Sequence, residues 1–309
     1  MKVTVVGAGN VGATCADILA YREIAKEIVL VDIKEGWAEG KALDIWQKAP
    51  IDYYDSKTTG TTGNYETTAN SDVVVITSGL PRKPGMSRDD LIGTNAGIVK
   101  EVTENVIKYS PETKIIVVSN PLDVMTYQAH LVSKFPRARV MGMAGILDTA
   151  RYRAFLAEAL DVSPKEIGTI LMGGHGDTMV PLPRYTTVSG IPVTEMGISK
   201  EKLDAIVQRT KTGGGELVKL MGTSAWYAPG SGAAQMVEAI VKDQKRVLPV
   251  CVKLEGEYGI ENCYLGVPVI LGKDGIEKVI ELKLNDEEMS LLKASEEKVR
   301  EVMAVLDNM

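Results

Sequence analysis

Cysteine is scarce in this 309-residue chain: Cys15, Cys251 and Cys263 are odd in number and form no C-x-x-C pair. That disfavours a disulfide framework or a cysteine zinc site and fits a reducing compartment. Histidine is scarcer still, with His130 and His175 alone. No apolar run approaches the roughly 18 residues needed to span a bilayer. No apolar core behind a basic segment marks a signal peptide near Met1. Excess positive charge is missing too: the formal net charge is −6. This argues against a general nucleic-acid or acidic-membrane partner, while leaving room for a local anion pocket. The expectation is a soluble, cytoplasmic protein with neither a membrane nor a nucleic-acid partner.

What is present is an ordinary globular composition, 45% hydrophobic and 25% charged, in a chain long enough for two lobes. The first half alternates apolar runs (Val3–Val6, Ile28–Val31, Val73–Ile76 and Ile115–Val118) with helical patterns near 10–20, 36–47 and 89–109. Runs without alternation are strands covered on both faces, and this pitch predicts a parallel, doubly wound α/β sheet. Asn120-Pro121 reads as an N-cap and first helical residue, opening a helix to about residue 134.

The second half changes character. It reads as a helix over 148–160, one strand over 167–172, helices over 199–221 and 231–245, and a hairpin over 264–284 turning at Lys273-Asp274-Gly275. Gly213-Gly214-Gly215 interrupts the first of these later helical patterns, at a cost of about 1 kcal/mol per glycine, which close packing of another backbone would explain. A last helix starts at Asn285, with Glu288 placed for a capping box.

Val3–Val6 runs into Gly7-Ala8-Gly9-Asn10-Val11-Gly12, a G-x-G-x-x-G between strand and helix. Such glycines permit a tight turn, approach of the backbone to a pyrophosphate, and close helix–strand packing. Asp32 ends the next strand, twenty residues beyond Gly12. A carboxylate there accepts hydrogen bonds from a ribose and repels a 2′-phosphate, so NAD is expected over NADP. The fold class is therefore α/β, with an N-terminal Rossmann domain over residues 1–145 and a C-terminal α+β catalytic domain over 146–309.

His175 lies in Gly173-Gly174-His175-Gly176-Asp177, where flanking glycines let another molecule approach and the imidazole can exchange a proton near neutrality. Alone, it reads more readily as a buried or turn histidine with no chemistry. Asp148 and Arg151 are three residues apart on one helix face. Read without context they are a surface ion pair; beside His175 they would be an orienting carboxylate and a carboxylate clamp. The loop Ser78–Arg88 carries three cations between glycines and prolines, as a solvated loop or as a lid at the sheet's ligand edge would.

Across essentially its whole length the chain resembles the malate and lactate dehydrogenases, and among them the malate dehydrogenases that are lactate-dehydrogenase-like in sequence. GAGNVG, the 79–88 loop, VVSNPLD at 117–123, GMAGILDTAR at 142–151 and GGHGD at 173–177 occur in that order and spacing. The resemblance implies NAD-dependent interconversion of (S)-malate and oxaloacetate, with His175 as acid/base and Asp148 orienting it. It implies that Arg151 grips the carboxylate next to the reacting carbon. Arg88 would polarise the carbonyl, and Arg82 would read a second carboxylate. Asn120 would touch both substrate and cofactor, while Asn95, Val118 and Ser119 would contact the cofactor. His130 takes no such role and reads as a helix-surface residue. With polarisation assigned to arginine and His175, no metal is expected. The resemblance also implies a homotetramer or homodimer. Two rivals stay open: a lactate or other 2-hydroxyacid dehydrogenase, against which Arg82 speaks, and a non-catalytic NAD-binding sensor, which would need none of His175, Asp148, Arg151 and Arg88.

Overall fold

Short strands of β-branched residues stack side by side, the inner ones apolar and buried, with the polar KTTGTT strand at the sheet edge. β1 (Lys2–Val6) pairs in parallel with β2 (Glu27–Asp32) and β4 (Val73–Ile76); β2 pairs with β3 (Lys57–Thr62). β4 continues to β5 (Lys114–Val117), and β5 to β6 (Val140–Gly142). The crossovers are α1 (Asn10–Tyr21), α2 (Trp37–Asp52), α3 (Arg88–Tyr109) and α4 (Leu122–Ser133). Strand order 3-2-1-4-5-6 is the doubly wound arrangement, in which ligands bind beyond the carboxyl ends where the order reverses. The computed structural model describes residues 1–80 and 88–309, with Arg88 described by its backbone alone. Arg82 and the Arg88 side chain therefore lie outside the described residues.

Beyond α5 (Gly145–Leu160) come short pairs: β7 (Ile167–Gly168), β8 (Leu171–Met172), β9 (Val180–Pro181), β10 (Thr187–Val188) and β11 (Ile191–Pro192). The single strand expected over 167–172 is thus two, because its halves find different partners: β7 pairs with β10 and β8 with β9. α6 (Lys200–Met221) and α7 (Tyr227–Val241) follow, then β12 (Arg246–Glu255), β13 (Glu261–Gly272), β14 (Gly275–Val279) and α8 (Asp286–Asp307). α6 runs unbroken through its three glycines. α8 opens with the expected capping box between Asn285 and Glu288.

Two further expectations change. The Asn120–Pro121 peptide is cis, and Pro121 is the N-cap of α4 instead of its first residue. The antiparallel strands β12–β14 do not stand apart from the first half. They extend the same sheet to nine strands through the Cys251↔Gly142 pair. One apolar core accordingly draws on both halves, from Val3 to Met303, and a second, smaller one gathers Tyr152, Leu156, Ile167, Val193 and Leu203. Among the described residues, no helix is long and apolar enough to cross a membrane.

Candidate active site

The carboxyl edge of the parallel strands carries the groups singled out by sequence. Gly7 has φ +100°, and a Cβ on Gly12 would sit 1.9 Å from the Gly7 carbonyl oxygen, so α1 can start this close to β1 with glycine alone. In front of Gly9, by contrast, a Cβ would meet nothing within 4 Å. α1 has no side-chain N-cap and no acid in its first turn, which leaves its N-terminal N–H groups for an anion. Asp32 accepts from the backbone N–H of Ala8 at 2.7 Å and of Lys34 at 3.0 Å, so the strand-end carboxylate also props the glycine loop. Trp37 Nε1 donates to the Ala8 carbonyl at 2.9 Å from the other side. This open, donor-lined cradle fits a dinucleotide diphosphate.

Further along the edge, buried Asn95 spends its amide on backbone. Its Oδ1 accepts from Leu80 N–H at 2.8 Å, and its Nδ2 donates to the Asn120 carbonyl at 2.7 Å. Ser119 Oγ donates to the Ser78 carbonyl. A cleft of about 390 Å³ opens here, walled by Val11, Asn95, Val118, Ser119, Asn120 and His175. A second cavity of about 290 Å³ is lined by Asn120, Arg151, His175, Lys211, Gly214 and Ser224. His175 and Asn120 stand on the wall common to both.

α5 places Asp148 in its first turn and Arg151 one turn later, beside the loop that follows β8. Asp148 Oδ2 lies 2.9 Å from His175 Nδ1, and Arg151 Nη1 donates to Asp148 Oδ1 at 3.2 Å. The Asp148 side chain is 3% exposed, whereas His175 keeps 21%, enough to meet a ligand. Burial by itself would push the His175 pKa down. The charge and hydrogen bond of Asp148 outweigh it, with help from the charge of Asp123 and opposition from Arg151, and hold the imidazole above its ordinary value.

Two matched family models correspond to this arrangement: the lactate/malate dehydrogenase NAD binding domain over residues 1–142, and the lactate/malate dehydrogenase alpha/beta C-terminal domain over 146–307. The chain belongs to the lactate/malate dehydrogenase family. It is an NAD-dependent oxidoreductase. A malate dehydrogenase of Cytophaga hutchinsonii is 75% identical over 309 residues, covering 100% of this chain and 99% of that one. The solved malate dehydrogenase of Salinibacter ruber superposes with TM-score 0.96 at 55% identity, over 100% of this chain and 98% of that one. A lactate dehydrogenase of Cryptosporidium parvum, complexed with lactic acid and β-nicotinamide adenine dinucleotide, also reaches 0.96 at 38% identity, with coverages of 100% and 98%. Backbone shape in this dehydrogenase family therefore does not choose between the two substrates.

Three features of this dehydrogenase escaped the sequence. Asp123, buried, accepts from the His175 backbone N–H at 2.9 Å, behind the imidazole. It stood in the VVSNPLD run, but no local rule gave it work. The α6 glycines face a side chain where another backbone was expected: a Cβ on Gly213 would sit 3.2 Å from Arg151 Cδ. His130 is half-buried, not a free surface residue, because Tyr264 OH reaches its Nδ1 at 2.5 Å. Among the described residues, no cluster of three or more His, Cys, Asp or Glu could hold a metal ion.

Proposed function

We propose that the enzyme catalyses (S)-malate + NAD⁺ ⇌ oxaloacetate + NADH + H⁺, with His175 carrying the proton. The supporting observation is one buried carboxylate, Asp148, bonded at once to His175 and Arg151 on a cavity wall. Gly7–Gly12, Asp32 and the Asn95–Val118–Ser119–Asn120 wall would hold NAD⁺, which would supply the hydride acceptor when bound. With Nδ1 committed to Asp148, Nε2 is the nitrogen left for substrate. Neutral His175 takes the hydroxyl proton in oxidation, and the imidazolium returns it to the oxygen in reduction, help worth about 10²–10⁴-fold. Arg151 holds the carboxylate next to the reacting carbon with parallel hydrogen bonds.

Arg88 polarises the carbonyl, and Arg82 receives the second carboxylate. Pyruvate carries a methyl group there, which would leave Arg82 unpaired in a closed site, a loss of roughly 1.5–3 kcal/mol. The names of the relatives support the same substrate. The decisive assay pairs oxaloacetate, pyruvate and 2-oxoglutarate with NADH and NADPH. Oxaloacetate with NADH should lead by tens- to hundreds-fold in kcat/KM, and equal turnover of pyruvate would sink the reading. A cytoplasmic homodimer or homotetramer belongs to this reading, and sedimentation would test the assembly.

A further inference from the structure

We propose that Lys211 is an additional cation of the substrate site, one that draws dianionic acids toward Arg151 and sets their affinity; the proposal rests on the substrate reading above. Lys211, Gly214, Gly215 and Val218 follow the i, i+3, i+4, i+7 spacing of one helix face, and all four line the 290 Å³ cavity with Arg151 and His175. That face is bare where Arg151 lies along it: a Cβ on Gly213 would be 3.2 Å from Arg151 Cδ, and one on Gly214 3.8 Å from Nη2. Lys211 is thus the charged side chain that α6 presents to this cavity.

The lysine is half-buried and, among the described residues, makes no hydrogen bond or ion pair. Its α6 neighbours do pair: Arg209 with Glu158 and Glu216, and Lys200 with Asp204. Residues 81–87, the segment not described, contain no carboxylate that could serve it. A half-buried cation left without a counter-ion, on the same wall as a second cation, is electrostatically unfavourable. A ligand with two carboxylates relieves that repulsion more than a ligand with one. Lys211 would act on binding more than on the chemical step, since it adds charge without an acid/base partner.

The test compares wild type with Lys211→Gln and Lys211→Arg. Calorimetric binding of malonate to the NADH-loaded enzyme should weaken about tenfold in Lys211→Gln, the scale of one charge-assisted contact, and recover in Lys211→Arg. KM for oxaloacetate should rise in parallel, with a much smaller change in kcat and no change in NADH affinity. The salt dependence of malonate binding between low salt and about 0.5 M KCl should flatten in the glutamine variant. Unchanged malonate binding in Lys211→Gln overturns the proposal, as does a loss that arginine does not rescue. A wild type that ignores oxaloacetate refutes the substrate reading and this proposal together; turnover with an unaltered glutamine variant refutes Lys211 alone.

Discussion

Asp148 divides its two oxygens between His175, which moves a proton, and Arg151, which holds charge. One side chain therefore sets both the basicity of the imidazole and the aim of the guanidinium. Because His175 is held above its ordinary value, reduction, which needs imidazolium, should stay active up to that raised value and fall beyond it. Asp148→Asn keeps the shape and removes the charge. Its kcat/KM profile for oxaloacetate should lose activity at lower pH than wild type; coincident profiles would deny Asp148 this role. The same linkage makes the pair's contribution to folding complete below about pH 6.5, the unfolded histidine value, and lost as pH rises through the folded one.

Gly213 tests the second half of the arrangement. Alanine is a better helix former than glycine by about 1 kcal/mol, so Gly213→Ala should leave Tm unchanged or raised. The new methyl would press on Arg151 Cδ from 3.2 Å. KM for the keto acid should rise several-fold, measurable by steady-state kinetics; an unchanged KM would show that Arg151 needs no such room. The glycine run was legible as an oddity of the sequence. Its reason was not, because Arg151 lies some sixty residues away and meets α6 only when both elements pack.

At the scale of elements, the turn from β1 to α1 was readable residue by residue, since strand, glycine loop and helix start are consecutive. Gly12→Ala would place a methyl 1.9 Å from the Gly7 carbonyl, an overlap that only backbone movement relieves. We expect lost stability of about 1–3 kcal/mol and sharply weakened NADH binding, followed by thermal melts and NADH fluorescence. Tight NADH binding by a well-folded variant would contradict the close packing. Strand β12 was not legible. Pro249 sits inside its apolar run, and a proline argues against an interior strand. In the structure Pro249 stands opposite Pro268, and the strand bonds on through neighbouring residues.

The whole molecule is joined more tightly than its two-part sequence implies. Beyond Cys251↔Gly142, Arg137 bonds the Lys253 carbonyl and Glu257 across the boundary, and one apolar core includes residues from both halves. Calorimetry should therefore record one unfolding transition. Two resolved transitions would mean that the halves fold independently despite the common sheet.

The sequence by itself determined whatever depends on neighbours in the chain: the parallel strands, the dinucleotide loop, the α8 capping box, and which residues could carry acid/base chemistry. These follow from periodicity, backbone freedom and intrinsic pKa, all short-range properties. Only the tertiary structure decided that Asp148 faces His175 at 2.9 Å, that Asp123 stands behind it, that glycines on α6 clear a path for Arg151, and that nine strands form one sheet. Those are contacts between segments far apart in sequence. They exist because burying the apolar faces of both halves in one core brings their polar edges to a common cleft.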